Sequence, residues 1–148
     1  MCADAERLMA IVKDVNETHF LNVDLDIYSR SDLQPLVNAF GKKVSVLHVG
    51  RYKRTYKAVL ELNRIARGAD SMIRAFCALI RALPKAERQR WNAATVRDFN
   101  IGVQIRKKPN CYRIDLSTPA VKAASEVGAR IVFTTYSPEI PVIDVSQP

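Results

Sequence analysis

The sequence predicts an α+β domain, in which a mainly antiparallel sheet of about six strands carries its helices on one face. Three observations predict it. Several segments alternate apolar and polar residues with a period of two, the pattern of strands with one dry and one wet side. Others place apolar residues three and four apart, the pattern of amphipathic helices. The strands come in adjacent pairs interspersed with helices. That order favours hairpins and a ferredoxin-like sandwich extended by an extra β-α-β portion, and it disfavours a Rossmann-type sheet, which needs strict β-α-β alternation.

Taken in order, Ala5, Leu8, Val12 and Val15 form one stripe over Ala3 to Val15 and predict an N-terminal helix within residues 1–18. From Phe20 to Tyr28, Leu21, Val23, Leu25 and Ile27 alternate with Asn22, Asp24 and Asp26, the clearest strand in the chain. Asp32 is placed to cap a helix with Pro35 in its first turn and Leu33, Leu36, Val37 and Phe40 on its buried side, ended by Gly41 in a left-handed conformation. Val44 to Val49 and Tyr56 to Leu62 follow as strands joined through Gly50 and a polar loop, hence an antiparallel hairpin.

Ile73, Phe76, Cys77, Ile80 and Leu83 mark a helix from Ala69 to Leu83, which Pro84 breaks before a short segment reaching Trp91. Phe99 to Ile105 alternates again and, across a loop with Pro109 and Asn110, is expected to pair with Tyr112 to Leu116 as a second hairpin. Thr118 and Pro119 start a helix that Gly128 stops, and Arg130 to Tyr136 is the final strand. Pro138 and Pro141 make residues 137–148 an extended tail, whose Ile140, Val142, Ile143 and Val145 would dock on the domain or on a second copy. This tail or the N-terminal helix is thus the candidate element for a homo-oligomer.

At 148 residues the chain reads as one domain, able to bury a core without disulfide or metal staples. Cys2, Cys77 and Cys111 are an odd set without close spacing, which fits a reducing compartment and offers no zinc site. Charges in the first turns and the lack of a long apolar run exclude a secretion signal and a membrane helix, so a soluble cytoplasmic protein is expected. The net charge of +8 points to a polyanionic partner, an acidic protein or a nucleic acid.

The Asn22-Val23-Asp24-Leu25-Asp26 strand with its acidic outer face, the opening Asp32-Leu33-Gln34, the bent helix ending at Trp91 and the run from Tyr112 through Leu116 and Gly128-Ala129 to Tyr136 carry a resemblance. Over roughly Phe20 to Tyr136 the chain resembles a family of small bacterial proteins catalogued as a domain of unknown function. The resemblance implies a compact α+β domain in a bacterial cytoplasm and brings no catalytic residue, cofactor or metal with it.

Candidate functional residues fall into two groups. Asp24 and Asp26 project from one sheet face about 7 Å apart, a spacing suited to acid–base work, to a divalent ion or to pairing with cross-strand cations. Lys57, Glu61, Asn100 and Gln104, with Arg106, Arg113 and Asp115, are expected to complete a polar face. The second group is Arg51, Lys53, Arg54 and Lys57 with Tyr52 and Tyr56 between them, preceded by Lys42 and Lys43, in a stretch without an acid from Asp32 to Glu61. Cations that neutralise phosphate beside rings that stack on bases suit a nucleic acid, and Arg106, Lys107 and Lys108 would add a second basic loop if both hairpin tips share one end of the sheet.

His19 and His48 lack neighbours at ligand spacing. Cys77 lies on an apolar stripe and reads as core, whereas Cys111, beside Lys107, Lys108 and Arg113, is the cysteine placed for reactivity. The phosphate-loop, serine-hydrolase and zinc-protease signatures are missing. The sequence therefore favours a non-catalytic binding protein that uses an open polar sheet face or basic hairpin tips. Its alternatives are nucleic-acid binding through the basic hairpin and a small enzyme with a carboxylate site on the sheet.

Overall fold

A computed structural model describes residues 16–63 and 67–138. The expected N-terminal helix and most of the apolar tail, with the oligomer contact assigned to them, lie outside the described residues. The elements run β1 (His19–Ser29), α1 (Gln34–Phe40), a 3-10 turn (Gly41–Lys43), β2 (Val44–Tyr52), β3 (Thr55–Leu62), α2 (Ala69–Arg81), α3 (Lys85–Ala93), β4 (Val96–Gln104), α4 (Thr118–Glu126) and β5 (Arg130–Tyr136). The fold is α+β. Its five strands lie in the order β2-β3-β1-β4-β5, antiparallel except for the parallel pair β4 and β5.

One face of this sheet is the core. Val23, Leu25 and Ile27 of β1, Ala58 and Leu60 of β3, and Phe99, Ile101 and Val103 of β4 form one buried cluster with Leu36, Val37 and Phe40 of α1, Ile73, Phe76, Cys77 and Ile80 of α2, and Ala123 and Ala124 of α4. Phe76 stacks on Phe99 with ring centres 5.8 Å apart. Cys77 is fully buried, as its place on the apolar stripe predicts, and burial pushes its thiol up to about 11. Trp91 of α3 is also fully buried; its indole N–H donates to the Val127 carbonyl at 2.8 Å and ties the end of α3 to the end of α4. The Arg97 guanidinium lies 5.9 Å from the Trp91 ring centre and donates to the carbonyls of Trp91 and Asn92 in the last turn of α3, where the Trp91 carbonyl also accepts from the Ala94 amide at 3.2 Å.

Several expectations are corrected. The segment Tyr112 to Leu116 joins no ladder, so the sheet has five strands rather than six among the described residues. The reason is spatial: β1 takes one edge of β4 and β5 the other, after a crossover through α4, and no edge is left for a second hairpin. The same crossover makes β4 and β5 parallel, within a sheet that is otherwise antiparallel as expected. Leu21 does not join the buried row. A bulge between Phe20 and Asn22 shifts the register, leaving Leu21 46% exposed while Phe20 packs against the core.

The β2–β3 connection is tighter than a polar loop. Both strands continue until Tyr52 faces Thr55, so Arg51 and Tyr52 are strand residues and only Lys53 and Arg54 make the turn, with Lys53 at φ 54°. Gly41 has φ 60° but ψ −142°, outside the left-handed helical region and open only to glycine, so the chain turns there into the 3-10 turn. Asp32 accepts a hydrogen bond from the Gln34 amide at 3.0 Å, but the cap position itself falls one residue later, on Leu33, which offers no side-chain hydrogen bond.

Candidate functional site

The sheet face away from the helices is uncovered by any described residue's element, and it divides into two regions. Its centre is acidic. Asp24 and Asp26 of β1 keep the outward phase that alternation gives them, opposite Asn100 and Asp98 of β4. Glu61 of β3, whose strand pairs with β1, joins them close enough to repel the charge of Asp24. Asp24 is raised to about 6, first because partial burial penalises its charge and then because Glu61 and Asp26 repel it. Asp26 is also raised by burial, against a lowering pull from the Asn100 amide, which donates to its Oδ2 at 3.3 Å, and from Lys57.

Each carboxylate at this centre has an identifiable neighbour. Arg130 of β5 clamps Asp98 with two hydrogen bonds of 2.8 Å, the bidentate geometry that guanidinium and carboxylate favour. Asn22 donates to Asp24 Oδ1 at 3.4 Å, and the Thr134 hydroxyl donates to Asn100 Oδ1 at 2.7 Å. A recess of about 190 Å3, lined by Leu21, Asn22, Asp24, Glu61, Asn100, Gly102 and Tyr136, opens beside them. Among the described residues no group of three or more His, Cys, Asp or Glu is arranged to hold a metal ion.

The other region is basic and aromatic. It sits where β1 ends and the β2–β3 hairpin turns. Tyr28 pairs with Lys57 across the ladder, and Lys57 places its ammonium 5.3 Å from the Tyr28 ring centre and 4.9 Å from that of Tyr52. Lys53 lies 5.5 Å from the Tyr52 ring, and Arg51, on the opposite side of the ribbon, 5.1 Å from the Tyr56 ring. The Lys57 ammonium is raised further, mainly by its hydrogen bond with Tyr28. Tyr28 and Tyr52 meet edge to face, 6.1 Å apart at 75°. Arg51, Tyr52, Lys53 and Arg54 are all exposed.

The structure brings Arg51, Tyr52, Lys53, Arg54 and Lys57 together and leaves Arg106, Lys107 and Lys108 elsewhere. The latter follow β4, whose end pairs with His19 at the start of β1, whereas Tyr56 of the hairpin pairs with Ser29 at its finish. Eleven residues of β1 separate the two loops by about 30 Å. The second basic loop is held against the chain entering β1: the Thr18 amide donates to the Lys108 carbonyl at 2.6 Å, and the Arg106 amide to the Thr18 hydroxyl at 2.8 Å. Arg113 and Asp115, expected on the sheet face, lie outside the strands and pair with each other at 2.7 Å. Cys111 is exposed, and the His19 ring meets the Glu17 carbonyl at 2.8 Å.

Three participants, Tyr28, Asp98 and Arg130, are not among the residues that the sequence singles out. Tyr28 is the next outward residue after Asp24 and Asp26, so the alternation pointed to it. Asp98 and Arg130 form their pair only through the β4–β5 register, and no local pattern announces that. No helix among the described residues is long and apolar enough to cross a membrane. No protein-family model, curated protein or solved structure matches the chain, so the two-region sheet face is what its function must be argued from.

Proposed function

We propose that this chain is a non-catalytic interaction protein that takes an acidic protein segment on its basic β2–β3 hairpin. The observation that carries the reading is the placing of Lys53 and Lys57 over Tyr28 and Tyr52 at one end of the sheet, with Arg51 over Tyr56 on the other side of the same ribbon and Arg54 exposed in its turn. Guanidinium and ammonium groups on an exposed ribbon suit carboxylates, and amphipathic tyrosines add contact area at little entropic cost. The recess beside Asp24 is smaller than the roughly 300–1,000 Å3 of a usual small-molecule cleft, which supports binding over catalysis at the carboxylates.

The same reading extends to the fold. β1 and β2 run in the same direction with β3 between them, the split β-α-β arrangement, and β4 flanks β1 on its other side. This order supports a ferredoxin-like sandwich over the first four strands, with α4 and β5 as its extension.

Single-stranded nucleic acid is the second reading, favoured by cations lying over tyrosine rings. Two features weigh against it. Rings at 75° cannot offer parallel faces to successive bases, and Asp26, two residues from Tyr28 on the same face, repels phosphate. The test measures binding of labelled poly-glutamate and of labelled oligothymidylate to the full chain at about 50 and about 200 mM salt. Poly-glutamate should bind more tightly, and the combined Arg51→Ala, Lys53→Ala and Arg54→Ala variant should lose both affinity and salt slope. Unchanged affinity and slope in that variant would sink the reading, and tighter oligothymidylate binding would replace it with the second.

A further inference from the structure

β2 is the outermost strand on its side of the sheet. Its inner side pairs with β3 from Val44 to Tyr52, and among the described residues no strand pairs with its outer side. Such an edge presents a row of N–H and C=O groups to any chain that can lie beside it. Two features of the strand decide what kind of chain that is.

The first is an apolar foothold at mid-strand. At the bulge between Val46 and His48 the strand carries one residue more than β3 opposes, and Val46 and Leu47 stand 47% and 54% exposed. The second is charge at both ends: Lys42 and Lys43 precede the strand, and Arg51, Lys53 and Arg54 close it, all of them exposed. A second copy laid antiparallel would set one copy's arginine end against the other's lysine end. A parallel copy would set each end against itself. Like charges oppose in both cases, so the edge resists pairing with itself. The same charges attract a strand with carboxylates at both ends. The β5 edge offers no equivalent, since its Arg130 is already bound to Asp98.

We infer that the β2 edge accepts an extended acidic segment of a partner protein as an added strand, its main chain paired with Val44–Tyr52, its middle side chains against Val46 and Leu47, and its terminal carboxylates against Lys42–Lys43 and Arg51–Arg54. The inference rests on the acidic-partner reading above and gives it a binding mode.

The probe is a short peptide with glutamates at both ends and alternating valine and threonine between them, titrated onto the full chain. Two further peptides carry N-methyl groups on alternate residues, in one phase or the other, which removes backbone donors from one side of the strand and leaves every charge in place. One phase should bind as the parent does and the other at least about tenfold more weakly, because only one side of the added strand faces β2. Amide exchange should also slow within Val44–Tyr52 in the parent complex. If both methylated peptides bind as well as the parent, or both weaken alike without added protection on β2, no strand is added and the inference fails, while the charge reading stands. If the parent peptide binds the Arg51→Glu, Lys53→Glu, Arg54→Glu variant undiminished, the charge reading fails as well.

Discussion

Lys57 and Glu61 stand on the same strand and the same face, about 13 Å apart, in surroundings of opposite character. At Lys57, the ammonium groups of Lys57 and Lys53 lie over the Tyr28 and Tyr52 rings. At Glu61, carboxylates crowd until one of them, Asp24, rises to about 6. A net charge of +8 conceals this division. The comparison teaches that the sheet face is a graded field: an acidic partner is drawn to the hairpin and repelled from the centre, so the same two regions that set attraction also set orientation.

The strongest way to break this comparison is to reverse the hairpin. Arg51→Glu, Lys53→Glu and Arg54→Glu together should weaken poly-glutamate binding at least about 100-fold at low salt, while urea unfolding changes by less than about 0.5 kcal/mol because all three side chains are exposed. Fluorescence anisotropy and unfolding curves read the two effects separately. A loss of stability that matches the loss of binding would mean the cations hold the fold rather than a partner.

Neutralising the centre should act the other way, on stability. The folded-state value of about 6 for Asp24 lies above its ordinary 3.8, so the fold favours its protonated form. That contribution is fully present below about pH 4 and is lost as pH rises through about 6. Asp24→Asn retains it, so the variant should match the parent near pH 4 and exceed it by about 1–2 kcal/mol near pH 7.5, allowing for solvent screening at a half-buried site. Equal stability at both pH values would show that the carboxylates do not oppose one another.

Smaller effects sharpen the boundary between the regions. Asp98→Asn breaks the clamp on Arg130 and should cost about 1 kcal/mol, less than a buried pair because the Arg130 side chain is 69% exposed. Lys57→Met keeps a stem of similar length over Tyr28 and Tyr52 but removes the charge, with an expected cost of about 0.5 kcal/mol in unfolding experiments.

What the sequence disclosed of this arrangement follows the range of the interactions involved. The phase of Asp24 and Asp26, the stripe of α2, the break at Pro84 and the start of α4 depend on neighbours a few residues away, and each is legible in the residues concerned. The fate of Tyr112 to Leu116 is not, because a strand-like pattern pairs only if an edge is free, and the later segment Arg130–Tyr136 takes that edge. Leu21 follows the alternation of its neighbours until a bulge, set by the register with β4, turns it outward. For the candidate site, the hairpin residues announced themselves by charge. Their separation from Arg106–Lys108 required the direction of every strand between them.

Trp91, the chain's one tryptophan, is sealed on the helical side of the sheet with its indole N–H committed to Val127, whereas Tyr28 and Tyr52 occupy the opposite side. Its emission is therefore an optical gauge of the helical layer alone: a soluble quencher cannot reach it in the native molecule, and a ligand seated at the hairpin leaves it dark to the event. Cohesion and recognition can thus be followed in the same cuvette by two dyes that nature has already placed, indole for the first and phenol for the second.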